Sequence, residues 1–106
     1  MFQYFSFEYP LVYVLYLTHF IFWQNQIKSI DLSHNPHLMY LFCRNNKLKD
    51  LSLHNNPNLI EVDCSNNYLT SINTYKNSKL KKLDCCNNYL AIINLSDCTE
   101  LYYLAC

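Results

Sequence analysis

The chain has 106 residues, 51% of them hydrophobic, 16% aromatic and 15% charged, which is enough length and apolar character for one folded domain and excludes a disordered tail. Eight Lys plus Arg balance eight Asp plus Glu, so the basic footprint of a nucleic-acid binder is missing, as is an acidic block. Gly is absent, which disfavours phosphate-cradling loops and dinucleotide-binding turns, because only Gly reaches their backbone angles without strain.

In chain order, residues 9–23 come first as an almost wholly apolar run. Glu8 and Pro10 interrupt it, no Lys or Arg precedes it, no small-residue cleavage site follows, and its last third belongs to a repeat. Residues 1–16 are therefore expected to form an apolar N-terminal cap, with a membrane anchor through residues 1–23 as the alternative.

From residue 17 a phrase recurs every 21 residues. Leu38, Leu59, Leu80 and Leu101 are followed by Leu41, Val62, Leu83 and Leu104, then by Cys43, Cys64, Cys85 and Cys106. Asn46, Asn67 and Asn88 come next, then Leu48, Leu69 and Leu90, giving L-x-x-L-x-C-x-x-N-x-L. Leu17, Phe20, Phe22, Asn25 and Ile27 continue the frame backwards. The second half of each unit carries a related phrase: Leu51, Leu53 and Asn56; Ile72, Thr74 and Asn77; Ile93, Leu95 and Cys98. Units 17–37, 38–58, 59–79 and 80–100 and a partial unit 101–106 result, and of their 27 core slots only Thr74 is not apolar. Such a period is the signature of a solenoid whose units stack on their neighbours.

These residues resemble the leucine-rich repeats, and the 21-residue length with Cys at the sixth phrase position is similar to the cysteine-ladder branch of internalin-like bacterial surface proteins. The resemblance implies a right-handed solenoid with a parallel β-sheet on its concave side, protein recognition as the usual task, and a secreted or cell-surface setting. The residues themselves assign no compartment. A 21-residue turn leaves little room for α-helix, so the return segments are expected to be extended or 3₁₀. Asn35-Pro36 and Asn56-Pro57, with Asn77-Ser78 in register, mark the corner leading to the next strand.

In this frame Cys43, Cys64, Cys85 and Cys106 share one inward slot on successive strands and serve as small buried hydrophobes, not as disulfide partners. Zinc is disfavoured, since no C-x-x-C pair occurs and ligands in a line do not surround a tetrahedral ion; no metal or other cofactor is expected. Cys86 falls on an outward slot. Asn25, Asn46, Asn67 and Asn88 are expected to turn inward and satisfy backbone groups freed at the corner. His19, His34, His37 and His54 have no nucleophile held opposite them, which makes surface histidines the expectation and an enzyme the disfavoured class. Asp63 and Asp84 share one outward slot, their carboxylates about 5 Å apart, on a face that reads as solvated and charged.

The outward strand slots are where a binding face is expected: His19, Trp23, Tyr40, Phe42 and Arg44 toward the N-terminus, and Glu61, Asp63, Lys82, Asp84 and Tyr103 toward the C-terminus. The expected function is a protein-interaction module taking a protein or peptide on this concave face. Equally open is that residues 1–16 fold over Trp23, Tyr40 and Phe42. Two rival functions stay open as well: a structural spacer or stretch of a longer adhesin array, and the recognition arm of an enzyme whose catalytic domain lies elsewhere. Because the last phrase stops at Cys106, the chain is expected to be part of a longer array or to associate end to end.

Overall fold

The computed structural model describes residues 2–4, 17–23 and 25–106. Their secondary structure is all strand and turn: β1 (Phe2–Tyr4), β2 (His19–Ile21), β3 (Tyr40–Phe42), β4 (Asp50–Ser52), β5 (Glu61–Asp63), β6 (Ser71–Asn73), β7 (Lys82–Asp84) and β8 (Tyr103–Ala105). Six strands make one sheet in the order β1-β2-β3-β5-β7-β8, and β4 and β6 make a second. Every pairing is parallel. From β2 to β8 the register is the repeat itself, with Phe20 opposite Leu41, Leu41 opposite Val62, Val62 opposite Leu83 and Leu83 opposite Leu104. Each turn of 21 residues thus adds one rung, about 4.8 Å along the axis. The chain is a parallel β-solenoid, and its return segments are extended, as expected.

The core lies between the two sheets. Leu38, Leu41, Leu48, Leu53, Leu59, Leu69, Leu80 and Leu83 are each fully buried, with Val62 and the Cys43 and Cys64 thiols among them. At roughly 2 kcal/mol for each buried Leu, these columns are what holds rung to rung. Thr74, the one polar residue in an apolar slot, is also buried, and its hydroxyl donates to the Asn94 carbonyl at 2.8 Å, which removes the cost of burying it. The expected corner at Asn35, Asn56 and Asn77 is a pair of turns closed by Asn56 N–H to Leu53 O at 3.0 Å and Leu59 N–H to Asn56 O at 3.2 Å, with the same bonds at Asn35 and Asn77.

Three expectations are corrected. Cys106 keeps the ladder's register but is exposed, since no further rung packs over it in the structure. Asn25 is half-exposed and, among the described residues, donates to the Trp23 carbonyl, 3.1 Å away, instead of bridging two rungs as the inward asparagines do. His19 is half-buried, not a plain surface histidine: it lies on the Tyr40 ring and bonds the Thr18 hydroxyl at 2.9 Å. His34, His37 and His54 are exposed. Phe2–Tyr4 extend the sheet in parallel with β2, Phe2 opposite His19, an offset of 17 residues instead of 21. Residues 5–16, over which the cap and anchor readings mainly fall, lie outside the described residues. Among the described residues no helix is long and apolar enough to cross a membrane.

The corners after β3, β5 and β7 contain a device that composition alone hid. Asn45, Asn66 and Asn87 adopt φ of 59°, 54° and 55°, the left-handed region. In a chain without Gly, Asn is the residue that enters this region most cheaply, because its short polar side chain bonds locally. The next residue then turns inward. Asn67 Nδ2 donates to the carbonyls of Cys43 and Cys64, both at 3.1 Å, while its Oδ1 accepts the Leu48 N–H at 3.1 Å. Asn46 and Asn88 repeat the pattern one rung either side. Each inward amide therefore joins two successive rungs.

Candidate functional site

Strand alternation decides which residues reach the outer face of the main sheet. With Leu41, Val62 and Leu83 in the core, their neighbours on either side point outward and align in two columns: His19, Tyr40, Glu61, Lys82, Tyr103, and Ile21, Phe42, Asp63, Asp84, Ala105. Ile21 is largely covered, whereas Tyr103 is half-exposed. Trp23, 49% exposed, and Arg44 stand one slot further along on adjacent rungs.

Between the columns lies a groove of about 260 Å³, lined by Phe42, Glu61, Val62, Asp63, Lys82, Asp84 and Tyr103. It gathers six of the ten expected contact residues. Tyr40 and His19 flank it as a stacked pair, ring centroids 4.5 Å apart and planes 24° from parallel. Partial burial holds the His19 imidazole below its ordinary pKa. Trp23 and Arg44 are not part of the lining.

The charges in the groove are held in place. Glu61 and Lys82 form the one ion pair among the described residues, at 4.0 Å, and its exposure limits it to under about 1 kcal/mol. Asp63 Oδ1 accepts both the N–H and the hydroxyl of Ser65, at 3.1 and 2.6 Å. Asp84 Oδ1 accepts the Cys86 N–H at 3.0 Å. Each aspartate is thus anchored through Oδ1, and the two stand on paired strands with no cationic partner among the described residues. With the Glu61–Lys82 pair neutral, the groove carries two unbalanced negative charges.

The thiols are mostly packed into the core. Cys43, Cys64 and Cys85 are buried in one column, and all six cysteines are free. Cys64 Sγ donates to the Asp84 carbonyl and Cys85 Sγ to the Ala105 carbonyl, both at 3.4 Å. Burial raises the Cys43 and Cys64 thiols far above the ordinary range and pushes Cys85 up to about 11, so none is a thiolate near neutrality. Half-buried Cys86 is raised too, first by desolvation and then by its hydrogen bond to Asp84. Contrary to the expectation that no nucleophile faces the histidines, the Ser52 hydroxyl lies 2.7 Å from His54 Nδ1, at an exposed position outside both the sheet face and the thiol column.

A second groove, of about 370 Å³, runs along the corner past Asn45, Asn66 and Asn87 and is bordered by Lys47, Tyr68 and Tyr89. Sequence reasoning singled out the inward asparagines and passed over this strip. The signal was present in the doubled Asn45-Asn46, Asn66-Asn67 and Asn87-Asn88 and in two tyrosines 21 residues apart.

Stacked 21-residue rungs with a leucine core, an asparagine column and a column of free thiols define a leucine-rich-repeat solenoid of the cysteine-ladder type, resembling internalin-like repeats. Among solved structures the chain is similar to the functional domain of InlJ from Listeria monocytogenes, which includes a cysteine ladder, with a TM-score of 0.84 and 31% identity over 92% of this chain. The chain spans 22% of that structure's length. No family model matches the sequence, and no curated protein matches it significantly.

Proposed function

We propose that this solenoid is a non-enzymatic protein-interaction module that recognises a protein or peptide through the outer face of its main sheet, in a cell-surface setting. The observation that carries the reading is the groove in which Phe42, Glu61, Asp63, Lys82, Asp84 and Tyr103 converge beside the Tyr40–His19 stack. Exposed aromatic rings are the kind of residue that anchors an interface, and the surplus negative charge beside them favours a partner segment carrying Lys or Arg. The likeness to an internalin repeat domain supports an interaction scaffold in general.

The test is selection of peptide ligands from a displayed library on the immobilised domain, followed by affinity measurement on two variants. Tyr40→Ala with Phe42→Ala, and Asp63→Asn with Asp84→Asn, are each expected to leave the fold intact and weaken the selected ligands by about tenfold, or roughly 1.4 kcal/mol. Ligands indifferent to both variants, or no saturable ligand, would favour the spacer reading.

A further inference from the structure

The corner groove has a chemistry different from that of the sheet face. On three successive rungs Asn45, Asn66 and Asn87 occupy the same slot, each fixed by its left-handed backbone, and their side-chain amides make no hydrogen bond among the described residues. The neighbouring inward amides of Asn46, Asn67 and Asn88 are used up by the backbone, so the outward ones are those left to meet a ligand. Two positions further along each turn stand Tyr68 and Tyr89, ring centroids 6.1 Å apart, 44% and 67% exposed. The left-handed turn explains why Asn is there. It does not explain two adjacent tyrosines that contribute little to the core.

We propose that this groove binds a neutral, linear oligosaccharide lying along the solenoid axis. An amide offers a donor pair and an acceptor, which matches the adjacent hydroxyls of a pyranose, and a tyrosine ring packs on the apolar C–H face of a sugar while its hydroxyl stays wet. Lys47 is the only charged residue lining the groove, so nothing there selects an anion or a basic peptide strongly. The amides recur at the rung spacing of about 4.8 Å, close to the advance per sugar of an extended pyranose chain, so that successive rungs meet successive sugars. This site lies off the sheet face and does not depend on protein recognition there.

Calorimetric titration of the purified domain with cellohexaose, maltohexaose and chitohexaose tests it. At least one of the three is expected to bind saturably in the millimolar range or tighter. Tyr68→Ala with Tyr89→Ala should weaken that binding by about tenfold. Asn66→Gly, which keeps the left-handed backbone and removes only the amide, should weaken it several-fold, and Tyr40→Ala with Phe42→Ala on the sheet face should leave it unchanged. The proposal is overturned if none of the three saturates, or if binding survives the tyrosine variant at full strength. Should the tyrosine variant fail to fold, undiminished binding by Asn66→Gly overturns it alone.

Discussion

Asparagine performs two tasks in this chain, and neighbouring residues divide them: Asn66 supplies the left-handed backbone and Asn67 the buried amide. Removing the second takes away one amide bond from each of two rungs and leaves the buried Leu48 N–H without a partner, while the Cys43 and Cys64 carbonyls keep the amides of Asn46 and Asn88. Asn67→Ala is therefore expected to cost about 2 kcal/mol, while Asn25→Ala, at a half-exposed position with one bond, costs under about 1 kcal/mol; urea denaturation of the two variants measures the contrast. Lys76 carries the opposite lesson. Its φ is 68°, with a long side chain in the region where a Cβ is penalised. Lys76→Asn should raise stability by about 1 kcal/mol, seen as a higher melting temperature, because the substituted residue keeps the N–H that donates to Asp97. The inward asparagines were legible from their spacing. The left-handed partners were not singled out, since a φ angle leaves no periodic trace in hydrophobicity.

Rungs, columns and corners were readable because a parallel sheet built on a fixed period turns sequence distance directly into register. Leu41, Val62 and Leu83 could only stack if the frame never slipped, and it does not slip between β2 and β8. Thr74 looked like a failure of the pattern; a partner on the adjoining return segment, Asn94, makes it acceptable, and no hydrophobic count reveals such a partner. The offset of 17 at β1 was equally hidden, because the repeat phrase does not reach Phe2–Tyr4. The thiol column yields a prediction of its own. In the unfolded chain a thiol ionises near pH 8.5, whereas Cys43 and Cys64 stay protonated in the fold well beyond that, so the folded state holds more protons at alkaline pH. Stability should be unaffected below about pH 8.5 and then fall by about 1.4 kcal/mol per pH unit for each of these two thiols. Denaturant midpoints between neutral and alkaline pH would show the slope, and Cys43→Ala with Cys64→Ala should reduce it to the part that Cys85 contributes up to about pH 11.

For the molecule as a whole, each rung touches only its neighbours, so cohesion is a chain of interfaces and not a single centre. β3 and β5 are paired on both sides and cover fully buried side chains, whereas β8 pairs on one side and leaves Tyr103 and Leu104 half-exposed. Hydrogen exchange should therefore be slowest at the amides of Phe42 to Cys43 and Asp63 to Cys64 and much faster in residues 101–106; uniform protection along the axis would contradict nearest-neighbour cohesion.

A wall laid in identical courses can be raised or lowered by a course without recutting a brick. Because the rungs built on β3, β5 and β7 meet through the same leucine, thiol and amide contacts, recombination that copies or deletes whole units among them would leave the remaining joints intact. Length is thus the cheapest property of this protein to change, and the cross-section the most expensive.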